Sequence, residues 1–183
     1  MTEANSGSDV GSMKTFAADK GDHWLINGSK MWISGGHASD IGLLYAVTTE
    51  GGGPKGLSCF IIDYNNTPGI TRIPIDKKVG MWTAPTSELV FENAAVPKEN
   101  LLGEVNRGFQ ICMWMLNNTR MGCATGAAAL AAACLEGSVN YANERTQFGQ
   151  QIGKFQMIQQ QIAEMKMEDD AAKHLVYRAA WLK

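Results

Sequence analysis

The sequence has few of the residues that build metal centres or disulfide frameworks. Its 183 residues include four cysteines and three histidines, with no CxxC pair and no histidine at metal-ligand spacing from a cysteine. This pattern argues against a zinc site and against a disulfide scaffold. We therefore expect no metal ion and four reduced thiols, at Cys59, Cys112, Cys123 and Cys134.

Strongly basic segments and long apolar runs are missing as well. No stretch of about 18 uninterrupted apolar residues occurs. The formal net charge is -2, and basic residues cluster nowhere beyond Lys77-Lys78. These features disfavour nucleic acid and membranes as partners. They favour an intracellular protein with a small-molecule ligand.

Residues 1 to about 100 contain five short runs rich in β-branched and aromatic residues. The runs are 23–27, 31–34, 43–48, 57–62 and 88–91. Asn27-Gly28 predicts a tight hairpin between the first two runs. Glycine, asparagine and proline residues at 51–54, 65–69 and 96–97 predict longer connections. Evenly spaced strands of this kind predict an antiparallel barrel or sandwich.

The composition changes in the second half of the chain, where no proline occurs from Asn106 to the end and alanine becomes frequent. This predicts a first long helix from near Arg107 to near Arg145, a bend over residues 146–153, and a second helix with an apolar stripe. Asp169 interrupts that stripe, and we expect it to be partly solvated or salt-bridged. Two long helices expose more apolar surface than one small β-domain covers, so we expect further helices or other subunits to pack on them.

A polar segment at the start of the chain and two residues of the 31–34 run are candidates for binding an aromatic ligand. Residues 2–9 concentrate hydroxyl groups on a flexible backbone, which suits a loop that donates hydrogen bonds to an electron-rich ligand. On a strand, Trp32 and Ser34 would face the same side. An indole and a hydroxyl could then hold the face and the polar edge of an isoalloxazine ring. Taken alone, the loop also fits a surface turn, and Trp32 also fits a core position beside a surface serine.

Five separated segments together resemble a known family. They are Thr2-Glu3 with Gly7-Ser8-Asp9, residues 27–30 with Trp32-Ile33-Ser34, residues 96–103, Asn118-Thr119-Arg120, and Glu144-Arg145 with Gln147-Phe148-Gly149. In this order they resemble the middle and early C-terminal parts of acyl-CoA dehydrogenases. The resemblance covers essentially the whole chain.

The resemblance implies an α+β fold in two parts. An antiparallel β-barrel or sandwich, residues 1–103, would be followed by two long helices, residues 104–183, which begin an incomplete C-terminal four-helix bundle. We therefore expect a longer polypeptide in which Met1 is internal and an N-terminal helical domain lies outside this chain. The family also implies a homotetramer built as a dimer of dimers.

FAD is the cofactor that the resemblance implies. In the family, the first loop and the Trp-Ile-Ser strand hold the flavin ring, and the helix bend reaches the FAD of a neighbouring subunit with its arginine on the pyrophosphate. The residues that would take these roles are Met1, Thr2, Gly7, Ser8, Trp32, Ile33, Ser34, Arg145, Gln147, Phe148, Phe155 and Gln156.

Substrate contacts follow from the same resemblance. Ser8 would also face the acyl-CoA, and the CoA-contacting segment corresponds to Asn117, Asn118, Thr119 and Arg120, with Arg120 as the anion or adenine partner. The family's catalytic glutamate usually lies further downstream, and in a minority of members it occupies the position of Thr119. We assign no catalytic residue within this chain. We expect the chain alone to be inactive and to retain no stoichiometric FAD.

Three positions depart from the family's usual residues. Ala4 stands where proline is usual, Ser34 where threonine is common, and Gln147 where threonine or serine is common. None of these changes removes an essential group. Ala4 leaves the flavin loop less rigid, because proline would have fixed one backbone dihedral angle.

The implied reaction is α,β-dehydrogenation of an acyl-CoA thioester in fatty acid or amino acid catabolism, with electrons passed to an electron-transferring flavoprotein. An acyl-CoA oxidase or an enoyl-CoA reductase of the same fold stays open as an alternative, as does a flavin-free binding module. Residues 5–9, and residues 116–118 with Arg120, are similar to glutaryl-CoA dehydrogenases, but the acyl-chain specificity stays open. So does the choice between bacterial cytoplasm and mitochondrial matrix.

Overall fold

The computed structural model describes all 183 residues as nine strands and two long helices. The strands are β1 (Phe16–Asp19), β2 (His23–Ser34), β3 (Ile41–Val47), β4 (Leu57–Asp63), β5 (Ile70–Pro74), β6 (Thr86–Pro97), β7 (Leu101–Leu102), β8 (Thr146–Gln147) and β9 (Gln150–Gln151). The helices are α1 (Gly108–Glu144) and α2 (Gln156–Leu182). Two compact units are present, an N-terminal unit of Met1–Met113 and a C-terminal unit of Trp114–Lys183. The predicted α+β class is confirmed.

A seven-stranded sheet forms the N-terminal unit, in the order β5-β6-β2-β1-β3-β4-β7. All its neighbouring strands are antiparallel except β1 and β3, which meet in parallel at Phe16 and Val47. The sheet is therefore mixed, and the antiparallel prediction describes every pair but this one. Its two longest strands, β2 and β6, lie side by side over most of their length.

The main hydrophobic cluster of this unit lies on one face of the sheet. In β3 and β4 the other face is buried too, at Tyr45, Leu57 and Cys59, whereas alternate residues are buried along β2 and β6. In β6, for example, Ser87, Leu89 and Phe91 are buried while the residues between them are partly exposed. Trp24 packs edge-to-face on Phe60, with ring centroids 5.3 Å apart. Full burial of a large apolar side chain contributes roughly 1.5–3 kcal/mol. The packing of these apolar side chains therefore stabilises the unit.

The predicted hairpin at Asn27-Gly28 is wrong, because β2 runs straight through it. Gly28 has φ 140°, and a side chain there would bring a Cβ within 2.6 Å of Thr15 Cα. Opposite it, β6 carries an extra residue, so the register shifts between Ile26 and Gly28. The backbone of Asn93 on β6 is left-handed, with φ 52°. The glycine therefore permits a close backbone approach beside a bulge, and it does not turn the chain. The predicted connection at 96–97 is also part of a strand, since β6 extends to Pro97.

Both long helices were predicted, and α1 begins and ends within one residue of the predicted limits. The predicted bend between them is a tight hairpin of β8 and β9 followed by a single 3-10 turn, Ile152–Lys154. Phe148 and Gly149 form the two-residue turn, with φ values of 51° and 77°. Positive φ at both turn residues is the geometry that matches the twist of a two-residue hairpin.

The apolar surface of α1 is largely exposed in this chain. By length and composition alone, α1 could cross a membrane, and almost none of its most apolar 18-residue window is buried. A core helix of a soluble protein meets the same criterion. The exposure agrees with the expectation that other helices cover α1.

Asp169 is the one fully buried residue of α2, with 3% of its surface exposed. Lys173 Nζ donates a 2.6 Å hydrogen bond to Asp169 Oδ2, while Oδ1 has no hydrogen-bond partner. The expected salt bridge is present, but the side chain is not solvated. A buried carboxylate oxygen without a donor loses its hydration and gains nothing in return.

We predict that Asp169→Leu stabilises the protein by about 1 kcal/mol. Lys173 is 39% exposed, so its ammonium can turn to water when its partner is removed. Thermal unfolding of the variant and the wild type measures the change. The matched control is Asp170→Leu on the same helix, where the pair with Lys166 is exposed and therefore contributes little to stability. A lower melting temperature for Asp169→Leu alone would show that Asp169 has a donor from elsewhere in the protein.

Candidate functional site

The first nine residues form a tight loop that presents glycine and serine to solvent. Glu3 and Ser6 exchange two backbone hydrogen bonds of 2.8 and 3.1 Å, and Ser6 Oγ donates to the carbonyl of Asp9 at 2.7 Å. Gly7 and Ser8 lie at the exposed tip. No residue of the chain hydrogen-bonds the hydroxyl of Ser8. The loop is thus closed on itself and has an unused donor at its surface.

This loop is attached to β2 directly beside Trp32. The backbone N–H of Met31 donates a 2.9 Å hydrogen bond to the carbonyl of Thr2. Met1 is half-buried next to Cys112. The structure therefore brings together Met1, Thr2 and the strand segment that carries Trp32.

A bulge in β2 turns Trp32 out of the core. Lys30 pairs with Leu89 and Ile33 with Ser87, so three steps along β2 correspond to two steps along β6. Before the bulge the even-numbered residues of β2 face the core, and after it the odd-numbered residues do. Ile33 therefore packs against the core, while Trp32 is 59% exposed. Trp32 has φ 62°, a conformation that costs a non-glycine residue on the order of 1–3 kcal/mol.

Ser34 is exposed on the same face as Trp32, because Ile33 between them points to the core. No residue of the chain hydrogen-bonds the hydroxyl of Ser34. The predicted placement of an indole and a hydroxyl on one side of the strand is confirmed. Their role toward a flavin stays a prediction, as do the roles of Met1, Thr2, Gly7, Ser8 and Ile33.

Under this surface lies a buried ion pair that the sequence-based site assignment missed. Lys30 Nζ donates to Glu3 Oε1 at 2.8 Å, and the side chains are 1% and 3% exposed. The Glu3 carboxylate also accepts from the backbone N–H groups of Lys14 at 2.7 Å and Thr15 at 2.9 Å. Lys30 Nζ further donates to the carbonyl of Met1 at 3.2 Å. The signal in the sequence was a lysine at an inward-facing position of β2.

The environment of this pair strongly affects the Glu3 carboxyl. Burial raises its pKa, but the donors from Lys30, Thr15 and Lys14 outweigh burial and lower the pKa to about 2. Burial lowers the pKa of the Lys30 ammonium, and the hydrogen bond to Glu3 opposes this shift. Glu3 is therefore ionised at neutral pH and holds three donors.

In the C-terminal unit, the predicted CoA-contacting residues lie on one exposed turn of α1. Arg120 Nη1 donates to Asn117 Oδ1 at 2.6 Å, and Asn118 Oδ1 accepts from Lys183 Nζ at 2.8 Å. Thr119 Oγ1 donates to the carbonyl of Leu116 at 3.2 Å. The other guanidinium nitrogens of Arg120 have no partner in the chain.

The second group of predicted FAD residues surrounds the β8–β9 hairpin. Arg145 lies just before β8, is exposed, and its guanidinium makes no hydrogen bond or ion pair within the chain. Phe148 at the turn is 94% exposed and contacts Phe155 edge-to-face, with ring centroids 6.2 Å apart. Gln147 Nε2 donates to the carbonyl of Thr146 at 2.7 Å. Gln156 is the first residue of α2, so all five predicted residues lie around one turn.

Two family models match the chain and leave only a short gap between them. Residues 1–94 match the acyl-CoA dehydrogenase middle domain, and residues 106–183 match the acyl-CoA dehydrogenase C-terminal domain. The chain belongs to the acyl-CoA dehydrogenase family.

Individual relatives support the same assignment. A glutaryl-CoA dehydrogenase of Desulfococcus multivorans is 48% identical over 183 residues, which is 100% of this chain and 47% of that protein. The caffeyl-CoA reductase-Etf complex subunit CarC of Acetobacterium woodii is 41% identical over 182 residues, covering 100% of this chain and 48% of that protein. The solved glutaryl-coenzyme A dehydrogenase glutaryl-CoA complex superimposes with a TM-score of 0.93 at 48% identity, covering 98% of this chain and 45% of that one. The chain thus spans about half the length of these relatives.

We predict that the Glu3 carboxylate makes the stability of the protein acid-sensitive. Its folded pKa lies below the value of 4.5 for a free glutamate, so its contribution is complete above that pH and is lost as the pH falls toward about 2. At neutral pH, Glu3→Gln should lower the free energy of unfolding by roughly 3 kcal/mol, because Lys30 then stays buried without a counter-charge. Urea unfolding between about pH 7 and pH 3 measures this.

The stability difference between wild type and Glu3→Gln should shrink as the pH falls through this window. Glu50→Gln is the control, since Glu50 is exposed on the loop after β3 and has no hydrogen-bond partner in the chain. A difference that stays constant with pH would contradict the assigned pKa shift.

Proposed function

We propose that this chain is part of an FAD-dependent acyl-CoA dehydrogenase. The enzyme would convert an acyl-CoA thioester into the α,β-enoyl-CoA and pass the electrons to an electron-transferring flavoprotein. The observation that carries the proposal is the outward face of β2 in a chain of this family, where Trp32 and Ser34 are exposed and the first loop is bonded to Met31. Without the bulge, regular alternation along β2 would turn Trp32 into the core.

The residues present fit an isoalloxazine ring and a dinucleotide. Trp32 supplies an exposed aromatic face for the apolar part of the ring. The hydroxyl groups of Thr2, Ser8 and Ser34 have no hydrogen-bond partners within the chain, so they are available to the polar edge. In the C-terminal unit, the free guanidinium of Arg145 matches the geometry of phosphate oxygens.

FAD, when bound, supplies the two-electron acceptor that the dehydrogenation needs. The residues of this chain would bind the flavin and orient it. Trp32 would cover one apolar surface and keep water from it, and Ser34 and the first loop would donate hydrogen bonds to the electron-rich edge. The α-proton of the substrate needs a carboxylate base. Thr119, at the position that carries the base in a minority of the family, has no carboxylate and cannot serve as this base.

The substrate class is an acyl thioester of CoA, which carries several phosphate groups. Asn117 accepts one hydrogen bond from Arg120 and orients its guanidinium, while the other nitrogens of the fork remain free for an anion. Ser8 at the loop tip is the second contact that we assign to the acyl-CoA. The likeness to glutaryl-CoA dehydrogenases supports a short acyl chain with a terminal carboxylate as the first substrate to test.

The direction of the reaction and the electron partner are also part of the proposal. One relative is named as part of a complex with Etf, which supports an electron-transferring flavoprotein as the partner. The same relative is named as a reductase, which favours enoyl-CoA reduction as the second candidate function. The exposed apolar surface of α1 supports assembly with further helices and with other copies, as in a homotetramer.

The proposed function is tested with the full-length protein. We expect visible flavin absorbance after purification and bleaching of that absorbance by an acyl-CoA, with glutaryl-CoA and butyryl-CoA as the first substrates. An electron-transferring flavoprotein or a dye should then reoxidise the protein faster than oxygen does. Fast reoxidation by oxygen would indicate an oxidase, turnover only from the enoyl-CoA side would indicate a reductase, and lack of flavin would indicate a binding module.

We predict that Arg145→Ala weakens FAD binding on the order of tenfold or more, because a charge-assisted fork onto the pyrophosphate is lost. Arg145→Lys should recover only part of the affinity, since an ammonium cannot bind two phosphate oxygens in the same plane. Titration of apoprotein with FAD measures both. Arg178→Ala is the control, because Arg178 is an exposed arginine of α2 that stacks on Trp181. Equal FAD affinity in Arg145→Ala and the wild type would remove Arg145 from the site.

A further inference from the structure

Each member of the buried Glu3–Lys30 pair makes hydrogen bonds in addition to the one that joins them. The carboxylate holds three donors, two of them backbone N–H groups of Lys14 and Thr15. The ammonium holds the carboxylate and the carbonyl of Met1, and it touches the sulfur of Met13 at 3.6 Å. The carboxylate and the ammonium are thus bonded to each other and to backbone groups, and the ammonium also contacts the Met13 side chain.

These partners come from three segments that are distant in sequence. Glu3 is in the first loop, Lys14 and Thr15 precede β1, and Lys30 is in β2 just before the bulge. The pair therefore joins the first loop to the strand at a point two residues from Trp32. The hydrogen bond from the Met31 N–H to the carbonyl of Thr2 also joins the first loop to β2, one residue after Lys30.

Stability alone does not account for such a pair. The desolvation of two buried charges offsets most of their attraction, and apolar residues of similar volume are often as stabilising or more so. What a buried, fully bonded pair does provide is a fixed geometry for the groups it bonds. Here the bonded segments are the first loop, which has the exposed donors, and the part of β2 next to the strained backbone of Trp32.

We propose that Glu3 and Lys30 are positioning residues of the flavin site. They hold the first loop against β2 so that the loop donors, Trp32 and Ser34 keep one arrangement before the ring binds. This inference rests on the proposed function. Both side chains are buried, so neither would contact the ring, and their effect would pass through the Thr2–Met31 bond and the bulge. A preorganised site binds more tightly because less ordering remains to be done on binding.

The test uses the full-length protein with Glu3→Gln, Lys30→Met and the double variant Glu3→Gln/Lys30→Met. Three quantities are measured: the melting temperature, the hydrogen exchange rate of the Met31 amide in the apoprotein, and the Kd for FAD. The matched control is Ile62→Ala, a fully buried residue of β4. It lowers the melting temperature of the same unit without contacting the first loop.

We expect each single variant to speed exchange of the Met31 amide and to raise the Kd for FAD by about tenfold. Ile62→Ala, at a similar melting temperature, should change the Kd less than about threefold. The double variant has no unpaired buried charge, so its melting temperature should recover, while its Met31 exchange and its FAD Kd stay elevated. This separation of stability from affinity is what a purely structural pair would not produce.

A Kd that follows the melting temperature across all four variants would overturn the positioning role and leave the proposed function intact. So would an unchanged Met31 exchange rate in the single variants. If the wild-type protein binds no FAD at all, the proposed function fails first, and this inference fails with it.

Discussion

Side chains alternate between the two faces of a β-strand, and in β2 this alternation changes phase once, between Lys30 and Ile33. Before the change, Trp24 and Ile26 fill the core; after it, Ile33 does so and Trp32 faces solvent. One additional residue opposite β6 therefore decides whether the indole of Trp32 is buried or exposed. The displayed face, the attachment of the first loop and the placement of Ser34 all depend on that phase change.

The first loop explains why a lysine can be buried in this sheet. Lys30 lies in the inward phase, immediately before the change, and it would be an unpaired charge in the core without Glu3. The first loop supplies this carboxylate and, in doing so, is drawn under the exposed edge of β2. Burial of the pair, exposure of Trp32 and closure of the loop are thus three results of one local arrangement.

The sequence predicted the elements whose patterns are long and regular. The proline-free second half predicts α1 with accurate limits and a second helix after the bend, and the apolar runs locate β3, β4 and part of β6. The short strands β1 and β5 were missed, because Phe16–Asp19 and Ile70–Pro74 have no clear alternation. Asn27-Gly28 was misread because the same dipeptide serves a turn and a close approach between strands. What decides between them is Thr15, a tertiary contact that local propensity does not report.

In the candidate site, too, local patterns predict some features, whereas tertiary contacts determine others. Simple alternation predicts Trp32 and Ser34 on one side of the strand, and both are exposed there. Alternation continued from Trp24 and Ile26 would put that side in the core, and the bulge turns it outward. Glu3 and Lys30 were noticed only as parts of a family pattern, since their pairing across 27 residues depends on the loop closing. The free guanidinium of Arg145 was predicted from the resemblance, yet only the hairpin shows how it is presented.

The course of β2 through Asn27 and Gly28 has a consequence for the chemical durability of the protein. Asparagine followed by glycine is the dipeptide most prone to spontaneous deamidation, because the glycine nitrogen can attack the side-chain carbonyl carbon when the backbone is free to bend. Here the backbone is held extended, Asn27 Oδ1 accepts from the N–H of Asn93 at 2.8 Å, and Asn27 Nδ2 donates to Asn93 Oδ1 at 3.2 Å. These bonds hold the Asn27 side chain in place and oppose cyclisation. The sheet therefore protects an amide that would deamidate quickly in a loop.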